Sequence, residues 1–105
     1  MIDRLDQADE NRRKGKYQVA LEEFRALEAL SWHKQDIAML RFFQTCCLTD
    51  LGRVPEAQAT ISTVDKNRLD LATQIDFEFE RARIHRQMHV FANQRGIENH
   101  VREFH

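Results

Sequence analysis

Two histidines and two cysteines are the residues of this 105-residue chain whose types and spacing suggest chemistry. His85 and His89 are one helical turn apart, close enough to share a metal ion. No third carboxylate or thiolate stands at ligand spacing, so the sequence favours two solvated histidines and predicts no metal or cofactor. Cys46 and Cys47 are adjacent, and neighbouring helical side chains diverge by about 100°, which disfavours a bridge. We expect two buried thiols that behave as small apolar side chains.

The spacings typical of catalytic and nucleotide-binding sites do not occur in the sequence. It contains no P-loop, no G-x-G-x-x-G, no G-x-S-x-G and no H-E-x-x-H motif. Sixteen basic and 17 acidic residues give a net charge of −1, so no overall field attracts nucleic acid or an anionic membrane. No stretch approaches the roughly 20 apolar residues that span a bilayer, and the N-terminus lacks a signal-peptide pattern. We expect a cytoplasmic protein that is not an enzyme.

The composition is that of an all-α protein. Only three Gly and one Pro interrupt the chain, and the commonest residues are good or neutral helix formers. We expect six helices in three antiparallel pairs, because short connections favour the packing of consecutive elements. The expected helices cover about residues 2–14, 17–31, 35–51, 55–65 and 69–91. A sixth carries Ile97, Val101 and Phe104; the sequence does not define where it starts, and Gly96 is a residue able to break it.

Apolar spacing predicts which faces of these helices are buried. In the second helix, apolar residues recur at helical spacing on one side: Tyr17, Ala20, Leu21, Phe24, Leu27 and Leu30. The third helix is apolar on two sides, one of which carries Met39, Phe42 and Cys46, so it is either sandwiched or presents a surface to a partner. The fourth helix is expected to bury Ala57, Ile61 and Val64. The fifth helix is expected to carry Leu71, Ile75, Phe79 and Ala82 as its apolar residues, with Val90 or Phe91 further along.

A helix-turn-helix pattern occurs twice, with Gly15 and Gly52 standing 37 residues apart. The copies align Tyr17 with Val54, Ala20 with Ala57, Phe24 with Ile61 and Leu27 with Val64. Each glycine suits a left-handed stop after a helix, and Pro55 suits the first turn of the next one. A third copy at the same spacing has His89 in place of the glycine. Repetition of this kind is typical of helical repeat proteins.

The first copy, with Gly15, Tyr17, Ala20 and Phe24, resembles the second half of a tetratricopeptide repeat. In that family the glycine lies at the turn, the aromatic residue packs against the hairpin, and the small alanine lets the helices approach closely. The resemblance implies one domain that forms a right-handed α-solenoid. Its three repeats would cover about residues 2–34, 35–68 and 69–105.

The resemblance also implies a concave groove, lined by the first helix of each repeat, that binds a peptide or helix of another protein. The matching positions are Leu5, Asp9 and Arg12 in the first repeat, Met39, Phe42, Cys46 and Thr49 in the second, and Asp76, Phe79, Arg83 and Arg86 in the third. Leu5, Phe42 and Phe79 would form an apolar stripe along this groove. The alternative is that these three side chains are ordinary core residues.

The sequence therefore predicts a module for protein–protein interaction, with another protein as its partner. Two alternatives stay open. The chain could serve as a small chaperone or inhibitor dedicated to a secreted or toxic protein. It could also be a structural subunit that associates with itself through its first helix or its third repeat.

Overall fold

A computed structural model of the chain describes the backbone of residues 2–104 and the side chains of residues 4–90. Over this part of the chain, the regular structure consists of five α-helices and one short 3₁₀ turn, with no strand. The all-α class predicted from composition is confirmed. The helices are α1 (Ile2–Arg13), α2 (Tyr17–Leu30), α3 (Lys34–Asp50), α4 (Val54–Ile61) and α5 (Leu71–Phe104), and the 3₁₀ turn covers Lys66–Arg68.

Helix α3 is the central element of the fold. Consecutive helices pack against each other from α1 to α5, and α3 contacts α2, α4, α5 and the 3₁₀ turn. Helix α3 is therefore packed on more than one side, which corresponds to the first of the two alternatives that its two-sided pattern left open. Its buried apolar side chains are Ala38, Leu40, Phe42, Cys47 and Leu48.

Helix α2 also contributes a row of side chains to the core. Its predicted stripe is buried at Ala20, Leu21, Phe24 and Leu27. Leu30, predicted to continue the stripe, is 54% exposed, because it is the last residue of α2 and the chain leaves the helix at Ser31. Ala57, Ile61 and Val64 all belong to the core, as predicted, but α4 ends at Ile61, so Val64 lies after the helix and not within it.

The two glycines of the repeated pattern form the same turn. Gly15 and Gly52 have φ values of +84° and +78°, a conformation that costs other residues free energy because of their Cβ atoms. After α1, the N–H of Lys16 donates to the carbonyl of Asn11 at 2.8 Å. After α3, the N–H of Arg53 donates to the carbonyl of Leu48 at 2.9 Å. Both turns are Schellman stops, and the pairs of bonding residues are also 37 positions apart.

Helix α5 is one continuous helix, so the prediction of a fifth and a sixth helix is wrong. It begins at Leu71, directly after Asp70, whose carboxylate accepts a hydrogen bond of 2.7 Å from the N–H of Thr73 and caps the first turn. It continues through His89 and Gly96 to Phe104. His89 stands where the first two copies have glycine, and without a residue suited to positive φ the helix does not stop. Ile97, Val101 and Phe104 lie outside the residues whose side chains are described.

The apolar residues that the sequence analysis named in the fifth helix do not form the buried face of α5. Leu71 is 79% exposed, Ile75 is 59% exposed and Phe79 is 71% exposed, and Ala82 is exposed as well. The core instead takes Phe77 and Ile84 from the opposite side of α5. The helix carries apolar residues on both sides, and the side that faces α3 is the one on which the Phe77 ring lies 6.2 Å from the Phe42 ring.

Candidate functional site

A groove with a volume of about 570 Å³ lies between α1 and α5, and α3 forms its floor. Helix α1 provides one wall, through Asp9, Arg12 and Arg13. The floor consists of Phe42, Phe43 and Cys46. The other wall comes from α5, through Thr73, Asp76, Phe79, Glu80, Arg83 and Arg86.

Eight of the 11 residues predicted to bind a partner line this groove: Asp9, Arg12, Phe42, Cys46, Asp76, Phe79, Arg83 and Arg86. The other three do not. Leu5 and Met39 pack against the core. Thr49 is buried inside α3, where its hydroxyl donates to the carbonyl of Thr45 at 2.9 Å.

The groove also contains residues that the sequence did not single out. Arg13, Phe43, Thr73 and Glu80 line it as well. Thr73 and Glu80 could have been found, because they fall three positions before and four positions after Asp76 and so share its helical face. Arg13 is held in the wall by Asp9, whose Oδ2 lies 2.8 Å from the guanidinium.

The expected apolar stripe of Leu5, Phe42 and Phe79 does not form. Phe42 is only 3% exposed and its ring lies 6.0 Å from that of Phe43, so it belongs to the core beneath the groove. Phe79 stands at the rim, 71% exposed. Phe42 is covered because α5 turns Phe77, rather than Phe79, toward α3.

A cluster of charges joins the floor of the groove to the α5 wall. The guanidinium of Arg83 donates to Asp50 of α3 at 3.0 Å and to Glu80 at 2.8 Å. Burial lowers the pKa of Arg83, because it disfavours the charged form. The hydrogen bonds and negative charges of Glu80 and Asp50 raise this pKa by more, so the net shift is upward. The cluster holds Glu80 at 8% exposure, which an unpaired carboxylate would resist.

Two charged groups of the groove are available for a ligand. Among the described residues, Asp76 and Arg86 form no ion pair, and both are exposed. The other groove arginines are engaged by neighbours, Arg12 and Arg13 with Asp9, and Arg83 with Asp50 and Glu80. Asp76 and Arg86 are therefore the groove charges with which a bound partner would most readily form new ion pairs.

Cys46 lies at the groove floor but is poorly suited to chemistry. Burial and the negative charge of Glu80 raise the pKa of its thiol, although Arg12 and Arg83 act in the opposite direction. Burial also raises the pKa of Cys47, to about 12. Both cysteines are free. Because their pKa values are raised, at neutral pH they are protonated thiols and not nucleophilic thiolates.

His85 and His89 lie on exposed positions of α5. Within the described part of the chain, no group of three or more His, Cys, Asp and Glu side chains could hold a metal ion. Among those same residues, no helix has the length and apolar character needed to cross a membrane.

The chain has no detected relatives. No protein-family model, no curated protein and no solved structure matches it.

Proposed function

We propose that this protein is an interaction module whose groove between α1 and α5 binds a peptide or helical segment of another protein. One observation carries the proposal. Eight residues from three separate stretches of the chain, which the tetratricopeptide resemblance assigned to one binding face, line a single groove. The groove combines an exposed aromatic rim with two charged groups that have no ion pair among the described residues.

The shape and composition of the groove favour a segment of protein as its ligand. Aromatic and Arg side chains are enriched among the residues that contribute most to protein interfaces. Phe79 offers an exposed ring at the rim, and Phe43 forms part of the floor. A helix laid along the groove would place apolar residues against these rings at helical spacing.

The charges predict the chemistry of the partner. Asp76 and Arg86 lie on the same wall, about 15 Å apart along α5 at 1.5 Å per residue. A bound segment would satisfy both if it placed a basic side chain near Asp76 and an acidic one near Arg86. The preferred partner is therefore an amphipathic segment with opposite charges separated by about two to three helical turns.

The experiment compares the proteins that the chain captures from its own cells when the groove charges are reversed. Two variants change the groove, Asp76→Lys and Arg86→Glu, and Arg25→Glu is the matched control on the exposed side of α2. All three positions are exposed, so their melting temperatures should match that of the wild type.

We expect a partner that the wild type and Arg25→Glu retain and that both groove variants lose. Combining the mutated chain with a partner whose own charges are reversed should restore binding. Equal recovery of every captured protein by all four chains contradicts the proposal, and so does the absence of any protein enriched by the wild type over the groove variants.

A further inference from the structure

Helix α5 carries an exposed row of apolar side chains on the side that faces away from the core. Leu71, Ile75 and Phe79 are 79%, 59% and 71% exposed, and Val90 further along is 55% exposed. Ala82 is exposed between them. We call these five residues the α5 stripe. They extend over about 28 Å of helix, and an apolar surface of this length on a small protein marks an interaction site.

The stripe lies on one helical face. Its members follow one another at steps of three, four and eight residues, the spacing of the contact face of paired helices. A shallow depression of about 640 Å³ borders it on the side of Lys66, Gln74 and Glu78. The stripe is thus shaped to receive another helix.

The charges beside the stripe change sign along α5. Asp76 and Glu78 precede the middle of the row, whereas Arg81, Arg83 and Arg86 follow it. Two copies of α5 that run in the same direction would bring like charges together. Two copies that run in opposite directions would bring the acidic part of each against the basic part of the other.

One register satisfies several of these contacts at once. Glu78 opposite Arg81 is centred between Phe79 and Glu80, and the same register places Asp76 opposite Arg83, whose guanidinium also donates to Asp50 and Glu80 of its own chain. In the same register the two Phe79 rings meet near the symmetry axis.

The same register also matches the apolar residues. Ala82 lies within two residues of the position opposite Ile75 of the other copy, and Val90 lies within two residues of the position opposite Leu71, an offset of about 3 Å along the helix in each case. The large Ile75 therefore packs near the small Ala82 close to the middle of the contact. At its two ends, Leu71 and Val90 cover each other. A two-fold pair of this kind is the commonest form of self-association in soluble proteins.

We propose that the α5 stripe is the interface of a homodimer, in which the α5 helices of two copies pack side by side in opposite directions about a two-fold axis at Phe79. The partner on the stripe is thus the same stripe of a second copy, which is apolar along its length and flanked by acidic residues toward one end and basic residues toward the other. The dimer can be tested apart from a ligand in the groove, because Leu71, Ile75, Ala82 and Val90 do not line the groove, although Phe79 and Asp76 belong to both surfaces.

Sedimentation equilibrium over a range of concentrations up to about 1 mM tests the dimer. We expect the wild type to dimerise and Leu71→Asp and Ile75→Asp to raise the dissociation constant at least about tenfold, since each places a charge in an apolar contact. Val19→Asp and Leu30→Asp are the matched controls, because both residues are exposed apolar positions of α2. The controls should dimerise as the wild type does.

Charge reversal tests the register. Glu78→Arg and Arg81→Glu each place like charges opposite each other twice in the dimer, and each should weaken it by roughly tenfold. Mixing the two variants should restore dimers, because every pair is then Arg against Glu. Mixing cannot repair an effect within one chain, such as loss of the Glu78–Arg81 pair.

Three results would overturn the proposal: a wild type that stays monomeric at the highest concentration, equal weakening by the Val19 and Leu30 controls, or no recovery on mixing. Groove binding can be followed separately with Leu71→Asp, which leaves every groove residue in place. If the chain does not dimerise, the test of partner binding in the groove can therefore still be interpreted.

Discussion

Arg83 of α5 donates a hydrogen bond of 3.0 Å from Nη1 to Oδ1 of Asp50 in α3. Its Nη2 donates to Glu80 at 2.8 Å, so one guanidinium bridges two acids from two helices. The exposed fraction is 18% for the Asp50 side chain and 10% for that of Glu80. The orientation of α5 on α3 is therefore determined by a shielded ionic cluster as well as by apolar contacts.

Removing this guanidinium should lower stability more than removing a surface charge. We expect Arg83→Met, which keeps most of the side-chain volume, to cost about 1–3 kcal/mol because it leaves two shielded carboxylates without their partner. The control is Lys66→Met, which breaks the pair of Lys66 with Glu78, both about 40% exposed, and should cost under about 1 kcal/mol. Urea unfolding at pH 7 measures both. Equal costs would show that the cluster contributes no more than a surface pair.

Truncation of two phenylalanines should lower stability by very different amounts, because one lies in the core and the other at the rim of the groove. Phe42→Ala should cost about 3–5 kcal/mol, because its ring is buried between Phe43 and Phe77. Phe79→Ala should cost under about 1 kcal/mol, because most of that ring is already in water. Thermal and urea unfolding of the two variants give the comparison. A large loss of stability from Phe79→Ala would mean that α5 presents a different face to the core.

Substitution of the two turn glycines should have equal effects. A Cβ atom at Gly15 or Gly52 meets no atom within 4 Å, so the cost of Gly→Ala comes from the positive φ alone, about 1–2 kcal/mol in each turn. Gly→Asn at the same positions should cost less, because asparagine tolerates the left-handed conformation. Urea midpoints of the four variants provide the measurement, and a clear difference between the two turns would disprove their equivalence.

Alkaline conditions should destabilise the fold through its cysteines. Unfolded thiols ionise near pH 8.5, whereas burial raises the pKa of Cys47 to about 12 and that of Cys46 as well. The unfolded state therefore binds fewer protons between these values, and stability, fully present below about pH 8.5, falls as pH rises, by up to about 1.4 kcal/mol per pH unit for each thiol.

The Cys46→Ala and Cys47→Ala double variant isolates this effect from the titration of Tyr and Lys. It should be less stable at pH 7, because it leaves a small cavity, and it should lose stability more slowly between pH 8.5 and 10.5. The measurement is the urea midpoint of both chains at half-unit steps of pH. Parallel curves would mean that the thiols ionise as readily in the folded state as in the unfolded one.

Local patterns in the sequence predicted the parts of the fold that local physics determines. The glycines at positions 15 and 52 turn the chain where their freedom at positive φ is needed, and the stripe of α2 from Ala20 to Leu27 is buried as its spacing indicated. Most of the groove residues also came together, because α1, α3 and α5 each present one continuous face.

Tertiary choices could not be predicted in the same way. Helix α5 has apolar residues on two opposite sides, and spacing alone does not decide whether Phe77 or Phe79 faces α3. The ionic contact of Arg83 with Asp50, between residues 33 positions apart, favours one rotation of the helix and leaves no signal in a local pattern. The end of α5 was missed for a related reason, because a single Gly96 costs a helix only about 1 kcal/mol and does not oblige it to stop.

Phe79 belongs both to the wall of the groove and to the α5 stripe. A ligand in the groove and the α5 helix of a second copy would both contact the Phe79 ring, so the two would compete for it. By thermodynamic linkage, a ligand that binds Phe79 in the groove would weaken pairing of the helices by the same factor by which pairing weakens the ligand. The position of this one side chain would thus make the concentration of the protein itself a regulator of what it binds.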